Sequence, residues 1–89
     1  MSTVLVVEDA RSQRECVSQQ LMWSGLNVIQ ASDGVEALER IQHNCPDLVL
    51  LDIVMPRMDG YSVCRLLKAN PQTRNIPVVF LTGMGQKSA

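Results

Sequence analysis

Pro46-Asp47-Leu48-Val49-Leu50-Leu51-Asp52 lies at the middle of the chain, and its four consecutive apolar residues show no alternation of wet and dry positions. A run of that kind is what a parallel strand buried on both faces requires. Upstream, Ser32-Asp33-Gly34 opens a helix with Asp33 and Glu36 placed as a capping box. Val35, Leu38, Ile41 and Cys45 keep helical spacing along it, and Pro46 stops it. Before that helix, Leu26–Ala31 alternates toward a strand. Thr3–Val7 is a β-rich apolar run ending in Glu8-Asp9, and helix-compatible sequence follows from Ala10 to about Ser24, where Gly25 breaks it. Downstream, Ile53–Met58 is a loop fixed by Met55-Pro56. Asp59-Gly60 starts a helix to about Ala69, and Asn70-Pro71 ends it. Ile76–Leu81 is the fourth strand, with Pro77 near its beginning, where an N–H can be spared. Thr82–Ala89 reads as a tail.

Strands alternating with helices of this length imply right-handed crossovers and an α/β fold: a doubly wound parallel sheet covered by helices on both faces. The 89 residues are expected to form one domain, residues 1–89, with 46% hydrophobic and 19% charged residues. A compact fold of this size buries only a little over ~60% of the surface its unfolded chain exposes, so losing one covering element should hurt. Eight Lys+Arg against nine Asp+Glu give a net charge of −1 without a basic stretch, which argues against direct nucleic-acid binding. The odd count of Cys16, Cys45 and Cys64, with no C-x-x-C pair, suits reduced thiols of a cytoplasmic protein, read as small core hydrophobes. Apolar runs fall far short of the ~20 residues of a membrane span, and Met1 to Val7 lacks the features of a signal peptide. No membrane association is expected.

In open parallel sheets the chemistry sits beyond the carboxyl ends of the strands. Those positions hold Glu8-Asp9, Asp52 and Thr82, which are 43 and 30 residues apart between Asp9, Asp52 and Thr82. Carboxylates brought together repel one another unless a cation with a preference for hard oxygen ligands sits between them, and Mg²⁺ is the natural candidate. An Asp carboxylate can also attack phosphorus to give an aspartyl-phosphate. Asp52, central on the third strand, would be the nucleophile, with Glu8 and Asp9 holding the metal. Taken singly, each residue has a plainer reading: a strand-terminal Asp capping a turn, a turn hydroxyl at Thr82, a helix cap at Asp59, a solvated His43. The tail 83–88 has Gln86 where a phosphate-binding loop needs Gly.

At these residues the chain resembles the receiver domains of two-component response regulators. The resemblance rests on V-V-E-D at Val6–Asp9, S-D-G-V-E-A-L at Ser32–Leu38, L-L-D-I-V-M-P-R-M-D-G at Leu50–Gly60 and V-F-L-T-G at Val79–Gly83. It implies a flavodoxin-like sheet of order 2-1-3-4 and phosphoryl transfer from a histidine kinase or phosphotransfer protein to Asp52. It further implies Mg²⁺ held by Asp9, by Glu8 through water, by Asp52 and by the Val54 backbone carbonyl. Thr82 would be the switch hydroxyl, and Gly83 would offer its N–H to the phosphoryl group. The output would pass to a downstream protein target, so the chain would be a phosphoacceptor switch and not a conventional enzyme.

A complete receiver continues through a fourth helix, a fifth strand and a fifth helix, and so carries an invariant Lys and a switch aromatic that the residues up to Ala89 do not supply. Lys87 lies five residues after Thr82, too early for that Lys. On this reading the chain is truncated after the fourth strand, which would become an apolar edge exposing Val78 and Phe80. Leu21-Met22-Trp23 spans about 200° of helical arc, so the three cannot share one core stripe. Met22, Trp23, Val78 and Phe80 are therefore candidate interface residues of a homodimer. The alternative function is a phosphorylation-independent dimerising or adaptor module that retains a vestigial receiver site.

Overall fold

A computed structural model describes residues 2–53, 55 and 58–81. The elements are β1 (Thr3–Val7), α1 (Arg11–Trp23), β2 (Asn27–Ala31), α2 (Gly34–His43), β3 (Leu48–Leu51), α3 (Gly60–Ala69) and β4 (Val78–Phe80). The four strands form one parallel sheet of order β2-β1-β3-β4, the flavodoxin-like order expected from the sequence. Val7 is in register with Ala31 on one side and with Leu51 on the other. The last residues of three strands thus finish level.

Side-chain alternation divides the sheet into two faces. Leu5, Val7, Val49 and Leu51 point to the side of α2 and α3, where Ala37, Ile41, Val63 and Leu67 complete a core that is closed to water. Val4 and Val6 point the other way and are buried as well. Against that second face α1 presents Ser18, wholly buried, whose hydroxyl donates to the Arg14 carbonyl at 2.7 Å and so needs no water. The expectation of burial on both faces holds for β1. On β3 it holds for Val49 and Leu51 only, Leu48 and Leu50 being half-buried. α1 contacts β1 and β2, while on the same side of the sheet Leu50 of β3 is half-buried and Val79 of β4 is exposed.

Helix ends follow the capping residues. Asp59 accepts from the Ser62 N–H at 2.8 Å, and Asp33 accepts from the Glu36 N–H at 2.8 Å. At α2 the Glu36 carboxylate also takes the N–H and hydroxyl of Ser32, both at 2.8 Å. These bonds hold the Glu36 carboxyl below its ordinary range. At the far end of α3, Thr73 Oγ1 donates to the Leu67 carbonyl at 2.7 Å, and Lys68 Nζ donates to the carbonyls of Arg74 and Ile76. The connector into β4 is thereby tied to the helix before it.

Three expectations are corrected. The fourth strand is Val78–Phe80, shorter than Ile76–Leu81, because Pro77 has no N–H to pair, although its carbonyl accepts from Val49. Cys45 leaves the helical stripe because α2 stops at His43 with Asn44 as its cap. Of the cysteines only Cys64 packs against the core, half-buried, while Cys16 and Cys45 are exposed; on α1 the sheet-facing place belongs to Ser18.

Two glycines allow close approaches. A Cβ on Gly34 would meet the Val63 side chain at 2.7 Å, so α2 and α3 touch there. A Cβ on Gly60 would collide with the carbonyl oxygen of Asp52 and lie 2.9 Å from the Ile53 Cα, so the start of α3 is pressed against the end of β3. The Gly60 N–H donates to the Ile53 carbonyl at 2.8 Å across that contact. Backbone cannot yield as a flexible side chain can. Gly60→Ala should therefore lower the stability by about 1–3 kcal/mol, more than loss of the neighbouring exposed cap in Asp59→Ala. Urea denaturation of both variants checks the order.

Candidate functional site

The site begins with the register of two neighbouring strands. Because Val7 and Leu51 are paired, the next residue on each strand, Glu8 and Asp52, emerges at the same level of the sheet. The Asp52 N–H continues the ladder to the Val7 carbonyl at 2.9 Å, and the Glu8 N–H donates to the Ala31 carbonyl at 3.1 Å. Asp9 follows on the turn into α1. One carboxylate oxygen from each of Glu8, Asp9 and Asp52 lies within 4.8 Å of the other two. Three acidic groups separated by up to 44 residues of chain thus meet on one rim.

Burial makes the cluster unusual. Glu8 is 2% and Asp52 3% exposed, while Asp9 faces solvent. Glu8 Oε2 accepts from the Ala10 N–H at 3.0 Å, but Glu8 Oε1 and Asp52 Oδ1 are buried without a hydrogen-bond partner. A dry carboxylate oxygen without a donor is costly. Removal from water pushes the Glu8 carboxyl up to about 7, against the lowering bond from Ala10 and with added repulsion from Asp52 and Asp9. The donor set is all oxygen and anionic, which is the chemistry that Mg²⁺ selects. Two dry, unpaired oxygens facing an exposed third carboxylate fit such an ion.

The other expected site residues are distributed as follows. Val54, Thr82 and Gly83 lie outside the described residues, as do Lys87 and the rest of the tail. The Leu81 N–H donates to the Leu51 carbonyl at 2.9 Å, extending the β3–β4 ladder by one residue. Trp23 is 82% and Met22 48% exposed. Val78 and Phe80 are on the covered face, where the Phe80 and Tyr61 rings lie 5.3 Å apart, and Val79 is the β4 residue that is bare. His43 is exposed, its Nδ1 at 2.8 Å from the Glu39 carbonyl. A groove of about 600 Å³ between β2 and α2 is lined by Ile29, Glu39, Arg40 and His43 among others, but by none of the three acidic residues. Among the described residues, no helix is long and apolar enough to cross a membrane.

One contributor was not anticipated. Arg14, half-buried on α1, donates from Nη1 to the Glu8 carbonyl at 2.9 Å and from Nε to Gln30 Oε1 at 3.0 Å. Its sequence signal is slight: a cation on the sheet-facing stripe of α1, one turn before Ser18.

Comparison with known proteins gives a consistent match. The family model described as response regulator receiver domain matches residues 4–89. The response regulator MprA of Mycobacterium sp. strain KMS is 46% identical over 79 residues, covering 89% of this chain and 34% of that protein. The response regulator PleD of Caulobacter vibrioides is 42% identical over 81 residues, covering 91% of this chain and 18% of its own length. Among solved structures, the signal receiver domain of a signal transduction histidine kinase from Syntrophus aciditrophicus superposes with a TM-score of 0.89 at 39% identity. That match covers 92% of this chain and 62% of the other. The chain therefore spans about a third of one of these curated relatives and about a fifth of the other.

The burial of Glu8 has a pH signature. Its folded carboxyl titrates at about 7 and its unfolded one near 4.5, so the folded form binds the proton more tightly. The stabilising contribution is full below the unfolded value and is lost as pH rises through the folded one. In metal-free buffer the urea midpoint should fall as pH is raised across that window, and Glu8→Gln should flatten the slope. An unchanged slope in the variant would assign the pH dependence elsewhere.

Proposed function

Because the chain belongs to the response regulator receiver family, we propose that residues 1–89 act as one receiver unit of a two-component system, taking a phosphoryl group on Asp52 with Mg²⁺ as cofactor. The observation that carries this reading is the pair of dry, unpartnered oxygens on Glu8 and Asp52 within a three-carboxylate cluster. Glu8, Asp9 and Asp52 would hold the cation together with the Val54 backbone carbonyl. The cation would neutralise charge on the transferring group and on the acids around it.

The chain's own residues do the rest. A carboxylate oxygen of Asp52 forms a bond to phosphorus while the bond from phosphorus to the imidazole nitrogen of a phosphohistidine donor breaks. The imidazole leaves with the electron pair and takes up a proton, and an acyl phosphate remains on Asp52. Asp52 directly follows β3, and its main chain is held by the N–H bond to Val7 and by the close approach of Gly60 to its carbonyl. Thr82 and Gly83 would then contact the phosphoryl oxygens through a hydroxyl and an N–H. The donor is a histidine kinase or phosphotransfer protein, and the effect passes by protein contact to a downstream target in the cytoplasm. The chain is a switch, and any hydrolysis of its own acyl phosphate is slow.

A second reading is favoured by one observation, the exposure of Trp23, Met22 and Val79. Large apolar side chains bare to solvent mark contact surfaces. On this reading the chain associates with a second copy whether or not Asp52 is modified.

Incubation with acetyl phosphate and Mg²⁺ at neutral pH should add one phosphoryl mass to the intact protein, and Asp52→Asn or removal of Mg²⁺ should abolish it. An unmodified parent would overturn the phosphoacceptor reading. Sedimentation velocity with and without the adduct tests the second: a phosphorylation-independent dimer supports it, and a monomer at micromolar concentration rejects it.

A further inference from the structure

We propose that Arg14 is a positioning residue for the acidic cluster: its guanidinium fixes the peptide group between Glu8 and Asp9, and Gln30 holds the guanidinium in place. The consequence for cation binding rests on the reading proposed above; the geometry does not.

Strand β1 ends at Val7, so the Glu8 carbonyl lies just past the end of the strand. Arg14 Nη1 supplies a donor to it at 2.9 Å. The peptide unit is planar, so anchoring its oxygen restricts ψ of Glu8 and φ of Asp9 together. Those two torsions set where the Asp9 carboxylate stands relative to that of Glu8. The Glu8 N–H is already tied to the Ala31 carbonyl at 3.1 Å. With Arg14 in place, the main chain of Glu8 is held on both sides.

The guanidinium is itself held at two points. Its Nε donates to Gln30 Oε1 at 3.0 Å, and Gln30 stands next to Ala31 on β2, in register with Val6. Two consecutive residues of β2 therefore restrain Glu8, one directly and one through Arg14. The backbone of Arg14 is held in turn by its N–H, which donates to the Ala10 carbonyl at 2.9 Å. A planar fork with fixed donor directions can span both acceptors, which the single ammonium of a lysine cannot do in the same geometry. Arg14 touches the carbonyl oxygen of Glu8 and not the carboxylates. Its part is orientation.

The test compares the parent with Arg14→Ala, Arg14→Lys, Gln30→Ala, the double alanine variant and Ser18→Ala. The last removes a neighbouring bond on α1 without touching Glu8. Two quantities are read: the Asp9 amide resonance of the metal-free protein by NMR, and the Mg²⁺ dissociation constant by titration. In Arg14→Ala the Asp9 resonance should shift and broaden, and Mg²⁺ should bind about tenfold more weakly, the scale on which supporting groups act at metal sites. Gln30→Ala should give a smaller loss and no further loss in the Arg14→Ala background. Arg14→Lys should recover only part, and Ser18→Ala should bind as the parent does. An unmoved Asp9 resonance with parental affinity in Arg14→Ala would overturn the proposal, as would an equal loss in Ser18→Ala. If the parent itself does not respond to Mg²⁺, the metal-dependent reading fails, and the Asp9 resonance of the metal-free variants alone decides the role of Arg14.

Discussion

Parallel pairing of β1 with β3 is the constraint on which the rest depends. Val7 and Leu51 are partners in the ladder, and both are sealed against the core beneath α2 and α3. A one-residue slip would turn the side chains of either strand to the opposite face, so the register is fixed by burial. Once it is fixed, Glu8 and Asp52 have no choice of neighbour. Hydrophobic packing holds two acids together that electrostatics would separate.

The fold accepts a local cost at this rim. Buried oxygens without donors and a carboxyl pushed toward neutrality oppose folding, while Val6, Val7, Val49 and Leu51, all wholly buried, favour it. Gly60 adds to the constraint from below, since the contact of α3 with the Asp52 main chain leaves no room for even a methyl group. Rigid support under a destabilised site is how binding energy for a cation or a phosphoryl group is kept from being spent on rearrangement. The same arrangement leaves the site responsive, because a ligand that relieves repulsion there stabilises the whole sheet.

Much of this was legible in the sequence for a local reason. The uninterrupted apolar run of β3, the acids directly after β1 and β3, and the Asp caps of α2 and α3 are signals carried by a few adjacent residues. What escaped depends on tertiary placement. The half-exposure of Leu50 and Val79 follows from how many helices lie on one face of the sheet, which no residue within β3 or β4 encodes. Cys45 has the spacing of a core position and misses it by the place where Asn44 ends the helix. Arg14 reads as an ordinary helix cation until β2 brings Gln30 beside it. Thr82 follows from its place after the fourth strand, Val54 and Gly83 from the motif resemblance, and all three lie outside the described residues.

The bareness of Trp23 has an optical consequence. It is the single tryptophan of the chain, and at 82% exposure its indole already sits in an aqueous environment when the protein is folded. Helix α1 carries it away from Glu8 and Asp9 by 13 residues, about 20 Å of helix. Its emission should hardly change colour on unfolding and should be indifferent to events among the three acids. The emission of Trp23 is thus nearly insensitive to the acidic rim, and that same insensitivity makes the indole a clean reporter of one event, the burial of its own end of α1 against another surface.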